Sequence, residues 1–343
     1  MHYELKKMNP QNEPITEKGN HSPCGGEGGS SLTHTPMLST SDFPMGEGGG
    51  RGRNWSGTTF GSGGMHSALI AVMKVMDVRL IYAFVSVFVV PVCLILNTNG
   101  SRSVAYRFYR RRFGYGRLRA AWNTYVNHCI FGQVVVDRFA MYAGKKFEIK
   151  IDGYDKFLEL ASKPDGFIQM SAHIGNYEIA GYTLTADPKV FYALVFDGEK
   201  ESVTENRNKM FASTNIRMIS VKPDMSHLFE INGALQRGET VSLPADRFNG
   251  SPRYVEQVFL GAKARFPQGP HSVATMRELD VLAVNVMKES MKKYHVYVTP
   301  LEYDKTVSRK EQIDQLSKAY VSELERMVRK YPHQWYNFFE FWQ

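Results

Sequence analysis

Cysteine is scarce in this sequence, and its few occurrences form no pattern. The 343 residues contain three cysteines, Cys24, Cys93 and Cys129, with no CxxC spacing and no even-numbered framework. A disulfide scaffold and a zinc site are therefore not expected, and no other metal or organic cofactor is indicated. Unpaired thiols favour a reducing compartment, the cytoplasm, for the folded part of the chain.

A signal peptide is also lacking, because the N-terminus has no basic start followed by a short apolar core and a cleavage site. Residues 1–64 are instead rich in Gly, Ser, Thr, Pro and Asn and show no sustained apolar period. Such a composition cannot bury enough apolar surface to offset the entropy lost on ordering. We therefore predict a disordered tail over residues 1–64.

Acidic residues are absent from 97–119, directly after the most apolar run of the chain. That run, Leu80–Leu96, has 17 residues and no charge, which is the lower limit for crossing a bilayer. Pro91 would kink a helix there, so an interfacial or re-entrant hairpin is an alternative to a span, and a buried core helix is a third. We predict a membrane anchor over residues 65–100.

Seven arginines occupy the segment that lacks acidic residues: Arg102, Arg107, Arg110, Arg111, Arg112, Arg117 and Arg119. By the positive-inside rule they place the rest of the chain on the cytoplasmic side of the membrane. They would face a membrane surface or, alternatively, form a solvated basic helix. Nucleic-acid binding is not expected, because no recognised nucleic-acid motif accompanies them.

Helical periodicity extends from Tyr106 to Ala143, and the chain changes character after Gly144. Short apolar runs then alternate with helical stretches. The runs predict strands at 147–151, 166–172, 190–196, 240–245, 281–287 and 294–301, and helices at 153–163, 176–184, 200–213, 224–237, 271–278 and 307–330. This alternation predicts an α/β domain over residues 101–343, with one mixed or mostly parallel sheet flanked by helices.

The stretch GFIQMSAHIGNYEIAG at 166–181 carries the strongest indication of chemistry. A buried strand runs into His173, and a turn at Gly175 and Asn176 then leads to a helix whose first turn contains Glu178. In a continuous helix, residues five apart lie about 140° from each other, whereas the turn lets the imidazole and the carboxylate meet. We predict that Glu178 orients one ring nitrogen of His173 and leaves the other as a general base. A structural histidine at the strand end is the alternative.

This stretch resembles the HxxxxD/E motif of the glycerolipid acyltransferase superfamily, and HIGNYE is especially similar to the form in the late acyltransferases of lipid A biosynthesis. Further blocks of that family follow in order: QRGETV at 236–241, LPAD at 243–246, VFLG at 258–261, FPQGP at 266–270 and a Pro-x-x-Trp ending at 332–335. Arg247 departs from the pattern, which commonly has Gln after the aspartate.

The resemblance implies a glycerolipid-acyltransferase-like α/β fold with an N-terminal membrane-associated helix, at the cytoplasmic face of the inner membrane. It implies direct acyl transfer from acyl carrier protein, or nearly as well from acyl-coenzyme A, to a hydroxyl of a lipid acceptor. A lipid A precursor is the first candidate acceptor, with another glycolipid or an amino-acid lipid as the alternative. The expected catalytic residues are His173 and Glu178.

Five further residues are candidates for substrate binding: Asn176, Arg207, Asp246, Arg247 and Gly269. Each also has a plainer role. Asn176 could cap a helix, Arg207 could lie on a solvated helix face, and Asp246 could pair with Arg247. Gly269 could bring backbone amides to a carbonyl oxygen or phosphate, or belong to a simple turn.

Two other functions compete with acyl transfer. A lipid hydrolase would use water as the acceptor, but no GxSxG elbow occurs in the sequence. A non-catalytic lipid-binding protein could keep His173 and Glu178 as a structural pair, because a fold does not establish activity.

Overall fold

The computed structural model describes residues 63–96, 100–177, 179–180, 184, 189–196, 214–222, 224–248 and 253–342. Almost all of the predicted tail lies outside these residues, and so do the predicted helix at 200–213 and part of the one at 176–184.

The helices are α1 (Gly63–Val75), α2 (Val78–Leu96), α3 (Ser101–Arg112), α4 (Arg117–Tyr142), α5 (Tyr154–Ser162), α6 (His227–Gln236), α7 (Gly269–Met276) and α8 (Arg309–Lys330). The strands are β1 (Glu148–Asp152), β2 (Phe167–Ser171), β3 (Phe191–Phe196), β4 (Ile216–Val221), β5 (Thr240–Pro244), β6 (Tyr254–Phe259), β7 (Ala262–Pro267), β8 (Val281–Lys288) and β9 (Lys293–Pro300).

Seven strands form one sheet in the order β1-β9-β8-β2-β5-β3-β4, and β6 and β7 form a separate antiparallel hairpin. Within the sheet β8 and β9 are antiparallel, and every other neighbouring pair is parallel. The predicted mixed α/β sheet is therefore confirmed. β2 lies between β8 and β5, so the strand that leads into His173 is at the centre of the sheet.

Both faces of the sheet are covered, which explains the continuous apolar runs of its strands. On one face Ile168 and Met170 of β2 pack with α6, α7 and α8. On the other face Phe167 packs with α4 and α5 and with the start of α2. The two layers of helices leave the carboxyl ends of the central strands as the place where polar side chains can gather.

The uncharged run forms one continuous helix, α2, and does not turn back at Pro91. A single π-helical turn at Val85–Val89 precedes the proline, which lacks the N–H that a regular helix requires. The helix is long and apolar enough to cross a bilayer by length and composition. One face of it packs along α4, because Tyr125 donates to the Ser86 carbonyl at 2.9 Å and Val85 lies against Gly132.

The helical pattern predicted over 106–143 proves to be two helices, α3 and α4. The break falls at Gly114–Gly116, where Gly114 has a φ of +65°. Such a backbone angle is readily adopted by glycine and ends a right-handed helix.

Candidate active site

Two side chains meet at the carboxyl ends of the central parallel strands. β2 and β5 pair in parallel with Ser171 opposite Pro244. His173 and Asp246 each follow two residues later, so the shared register carries them to the same point. Open α/β sheets bind their ligands at this edge.

Asp246 holds His173 through two hydrogen bonds. The His173 main-chain N–H donates to Oδ2 at 2.9 Å, and Nδ1 lies 2.8 Å from Oδ1. An ionised carboxylate can only accept, so Nδ1 carries the hydrogen and Nε2 is left with its lone pair. The Asp246 side chain is 2% exposed and that of His173 is 26% exposed, so the carboxylate is enclosed while the imidazole reaches the surface.

The surroundings favour a neutral imidazole beside a charged carboxylate. Burial lowers the pKa of His173; Asp246 opposes this effect, while the charge of Arg247 adds to it. Burial alone would raise the pKa of Asp246, but the His173 ring, Arg247 and the His173 N–H together hold it below its usual value. A neutral histidine in the Nδ1–H tautomer, oriented by a carboxylate, is the form that a general base requires.

The segment after α8 fixes the backbone around His173. Ile174 forms an antiparallel bridge with Trp335. The Gly175 N–H donates to the Gln334 carbonyl at 2.8 Å, and the Tyr336 N–H donates to the His173 carbonyl at 3.1 Å. The Pro-x-x-Trp block of the sequence thus holds the turn that contains the catalytic candidate.

The other predicted site residues fall in several places. Glu178 and Arg207 lie outside the described residues, so the expected pairing of Glu178 with His173 remains a prediction.

Asn176 is buried, and its amide donates to the Tyr294 hydroxyl at 3.3 Å. Arg247 is half-buried next to the His173–Asp246 pair.

Gly269 begins α7 and is buried there. Its predicted role toward a carbonyl oxygen or phosphate remains a prediction. Within the described ranges, no group of three or more His, Cys, Asp and Glu side chains is arranged to hold a metal ion.

Sequence reasoning did not assign Asp246 to the histidine. It placed this carboxylate near an acceptor hydroxyl or in a pair with Arg247, and it gave the orienting role to Glu178. The missing information was the pairing of β2 with β5, two strands that are more than 60 residues apart in the chain. The equal offsets of His173 and Asp246 from their strand ends would have suggested the contact once that pairing was known.

Comparison with known proteins identifies the family. A model of the family described as bacterial lipid A biosynthesis acyltransferase matches residues 134–343. No curated protein sequence matches the chain. A crystal structure of the 1-acyl-sn-glycerophosphate acyltransferase PlsC from Thermotoga maritima is similar with a TM-score of 0.36 and 16% identity, over 79% of this chain and 99% of that one. Because the family match spans more than half of the sequence, the chain belongs to the bacterial lipid A biosynthesis acyltransferase family.

Proposed function

We propose that the protein transfers a fatty acyl group from an acyl thioester of acyl carrier protein to a hydroxyl of a lipid acceptor, with a lipid A precursor as the first candidate. The observation that carries this proposal is the His173–Asp246 pair at the carboxyl ends of the central strands. Family membership supports the reaction type and the class of acceptor.

The proposed reaction is direct transfer without an acyl-enzyme. Nε2 of His173 takes the proton of the acceptor hydroxyl while the hydroxyl oxygen attacks the thioester carbonyl carbon. The tetrahedral intermediate collapses, the carbon–sulfur bond breaks, and the departing thiolate takes the proton from His173. Asp246 keeps the imidazole in the required tautomer and stabilises its transient positive charge.

Glu178 enters the proposal through the HxxxxE motif. It follows His173 by five residues in the sequence, and we assign it a role in orienting the imidazole or the acceptor hydroxyl. Asp246 already occupies Nδ1 and Nε2 must take the proton of the acceptor, so the contributions of the two carboxylates have to be measured separately. Isosteric substitutions, Asp246→Asn and Glu178→Gln, separate their contributions without changing side-chain volume.

Membrane association is supported by the exposed face of α2. Its exposed large apolar side chains are Leu80, Phe84, Val87, Phe88, Val89, Val92, Ile95 and Leu96. At the start of α4, Leu118 is 88% exposed and Trp122 is 63% exposed, next to Arg117 and Arg119. Exposed apolar side chains beside cations fit an anionic membrane surface. We propose that this surface lies at the cytoplasmic face of the inner membrane.

The arginine cluster has two kinds of members. Several arginines bond within the protein: Arg107 pairs with Glu340, and the guanidinium of Arg112 lies 4.2 Å from the Trp342 ring centre. Arg111 and Arg117 are exposed, and we assign them to the acidic donor protein or to anionic lipid. Arg111→Glu with Arg117→Glu should raise the KM for acyl carrier protein more than that for acyl-coenzyme A if they bind the protein donor.

The experiment that tests the function is transfer of radiolabelled acyl groups from acyl carrier protein to membrane lipid. Wild-type protein is compared with His173→Ala, Asp246→Asn and Glu178→Gln, each checked for unchanged thermal unfolding. Loss of a general base typically lowers the rate by about 10²–10⁴-fold, and we expect losses of this order. Because the pKa of His173 is lowered, kcat/KM should fall with acidification only below about pH 6.5, the usual histidine value.

The outcomes separate the competing functions. Label in one lipid with wild type alone establishes acyl transfer and identifies the acceptor. Release of free fatty acid without lipid labelling would indicate a hydrolase. If His173→Ala retains the wild-type rate, His173 is not the base. An absence of transfer both from acyl carrier protein and from acyl-coenzyme A would favour a non-catalytic lipid-binding protein.

A further inference from the structure

A buried polar cluster lies close to residues 174–177, which are called the turn after His173 below. The Asp137 carboxylate of α4 accepts hydrogen bonds from Lys288 of β8, Tyr294 of β9 and Tyr82 of α2. The Asp137 side chain is fully buried and that of Lys288 is 5% exposed. These four residues are called the Asp137 cluster below, and the proposed reaction does not use any of them.

The Asp137 cluster contacts the turn by two routes. The Asn176 amide donates to the hydroxyl of Tyr294 at 3.3 Å. Separately, the Lys288 main-chain N–H donates to Gln334 Oε1 at 2.8 Å, and Gln334 Nε2 donates to the Lys288 carbonyl at 2.7 Å. The Gln334 main-chain carbonyl then accepts the N–H of Gly175 at 2.8 Å. Asn176 thus contacts the cluster directly, and Gly175 is linked to the main chain of Lys288 through Gln334.

Added stability does not account well for such a cluster. Replacing a buried ion pair by apolar residues of similar volume is often neutral or stabilising, because desolvation offsets the attraction between the charges. Burial here raises the pKa of Asp137 and lowers that of Lys288, and their mutual attraction opposes both shifts. A carboxylate that accepts several hydrogen bonds does fix geometry, because each donor must approach it from a set position.

Tyr82 brings a fourth element into the same arrangement. It lies in the first part of α2, the helix that carries the exposed apolar face, and its hydroxyl also accepts from Lys288 Nζ at 3.1 Å. One carboxylate therefore contacts the proposed membrane helix and, through Tyr294, the turn after His173.

We propose that the Asp137 cluster positions the turn after His173 for acyl transfer and couples the conformation of this turn to the position of α2. Tyr294 is the positioning residue on the side of the turn, and Tyr82 is the one on the side of the membrane helix. None of the four touches the reacting atoms. This inference rests on the proposed acyl transfer, and its test therefore includes a measurement that does not need activity.

The test uses four substitutions that each remove one hydroxyl and keep the ring. Tyr294→Phe breaks the link to Asn176, and Tyr297→Phe is its control on the same strand, where the hydroxyl bonds instead to Tyr331 at 2.7 Å. Tyr82→Phe breaks the link to α2. Its control is Tyr125→Phe, which loses a different bond to the same helix. The full-length variants are assayed in lipid vesicles for kcat, KM and thermal unfolding.

We expect Tyr294→Phe to lower kcat by about tenfold or more at unchanged KM, because small displacements of a catalytic group have effects of this order. Tyr82→Phe should lower kcat by a smaller factor, and both controls should match wild type. A merely structural role would lower the melting temperature and the yield of folded enzyme but leave kcat per folded molecule unchanged. That result, or equal kcat for Tyr294→Phe and Tyr297→Phe, would overturn the proposal.

The second measurement is the rate at which diethyl pyrocarbonate modifies His173, followed by peptide mass. A displaced turn changes the access to Nε2, so Tyr294→Phe should alter this rate and Tyr297→Phe should not. If wild-type protein shows no acyl transfer, the proposed function fails while this measurement still decides on positioning. An identical rate in Tyr294→Phe and wild type would show that the Asp137 cluster does not hold the turn.

Discussion

At the scale of single residues, Gly175 is the position where the geometry of the site requires a residue without a side chain. Its φ is +58°, and an added Cβ would lie 1.9 Å from the carbonyl oxygen of Val286. The close approach exists because Gly175 forms a bridge to β8 while its N–H bonds to Gln334. The glycine thus lets the turn lie flat against the sheet edge next to His173.

Gly175→Ala should therefore destabilise the protein and move His173. The left-handed angle alone costs an alanine roughly 1–2 kcal/mol, and overpacking adds about 1–3 kcal/mol. Gly114→Ala is the matched control, because Gly114 has a φ of +65° with nothing within 4 Å of its added Cβ. Chemical unfolding and kcat of both variants measure the difference, and equal stability of the two would show that the contact with Val286 is relieved without strain.

At the scale of elements, the six strands predicted from apolar runs are all present, and no bound is shifted by more than one residue. The predicted helices near 153–163, 224–237, 271–278 and 307–330 are present as well. β4 was missed because Arg217 and Ser220 interrupt a short apolar run, and the β6–β7 hairpin because its strands are half polar. Long buried strands can be predicted from their apolar pattern, whereas edge strands and hairpins share the composition of loops.

The site was predicted in part for a related reason. The strand, the turn and His173 are local features, and the resemblance to the acyltransferase motif depends on that local order. The contact with Asp246 depends on which strands pair, and the contacts with Trp335 and Tyr336 depend on where the C-terminal segment returns. Long-range pairings of this kind are set by the packing of the whole sheet and leave no periodic pattern in one sequence.

The C-terminal segment should therefore contribute to catalysis as an element. The Trp335 ring packs within 5.3 Å of the ring centres of Phe108, Phe259 and Phe341, while its backbone bridges Ile174. Trp335→Ala should cost about 3–5 kcal/mol of unfolding free energy and lower kcat. The matched control is Trp122→Ala, since Trp122 is 63% exposed and its loss should change the unfolding free energy by less than about 0.5 kcal/mol. Equal unfolding curves for the two would contradict this role.

At the scale of the whole molecule, both ends of α2 contact the α/β domain. Near its start, Tyr82 bonds to Asp137, and Lys145, Lys146 and Lys292 line the same small surface cavity as Val78. Near its end, Arg102 donates to the Leu94 carbonyl at 2.9 Å. Basic residues of one domain thus flank the helix at both ends. In the sequence, only the arginines that follow α2 are adjacent to it.

This arrangement favours an interfacial helix over a span. A helix that crosses the bilayer would separate its two ends by the hydrocarbon thickness of about 30 Å, and α4, which packs along α2, would have to enter the bilayer with it. α4 carries Asp137 and Arg138 and covers the sheet with its other face. An interfacial helix instead places its exposed apolar face among the lipid tails and keeps both ends at the headgroups.

Cysteine labelling in sealed vesicles can distinguish the two topologies. In a chain with Cys24, Cys93 and Cys129 replaced by serine, Met76→Cys and Leu96→Cys mark the two ends of α2, both at exposed positions. Lys310→Cys, on the exposed start of α8, marks the side of the α/β domain. A membrane-impermeant maleimide should label all three from the same side, because an interfacial helix leaves its ends with the domain. Labelling of Met76→Cys from the side opposite to Lys310→Cys would establish a span, and it would then require α2 to separate from α4 in the membrane.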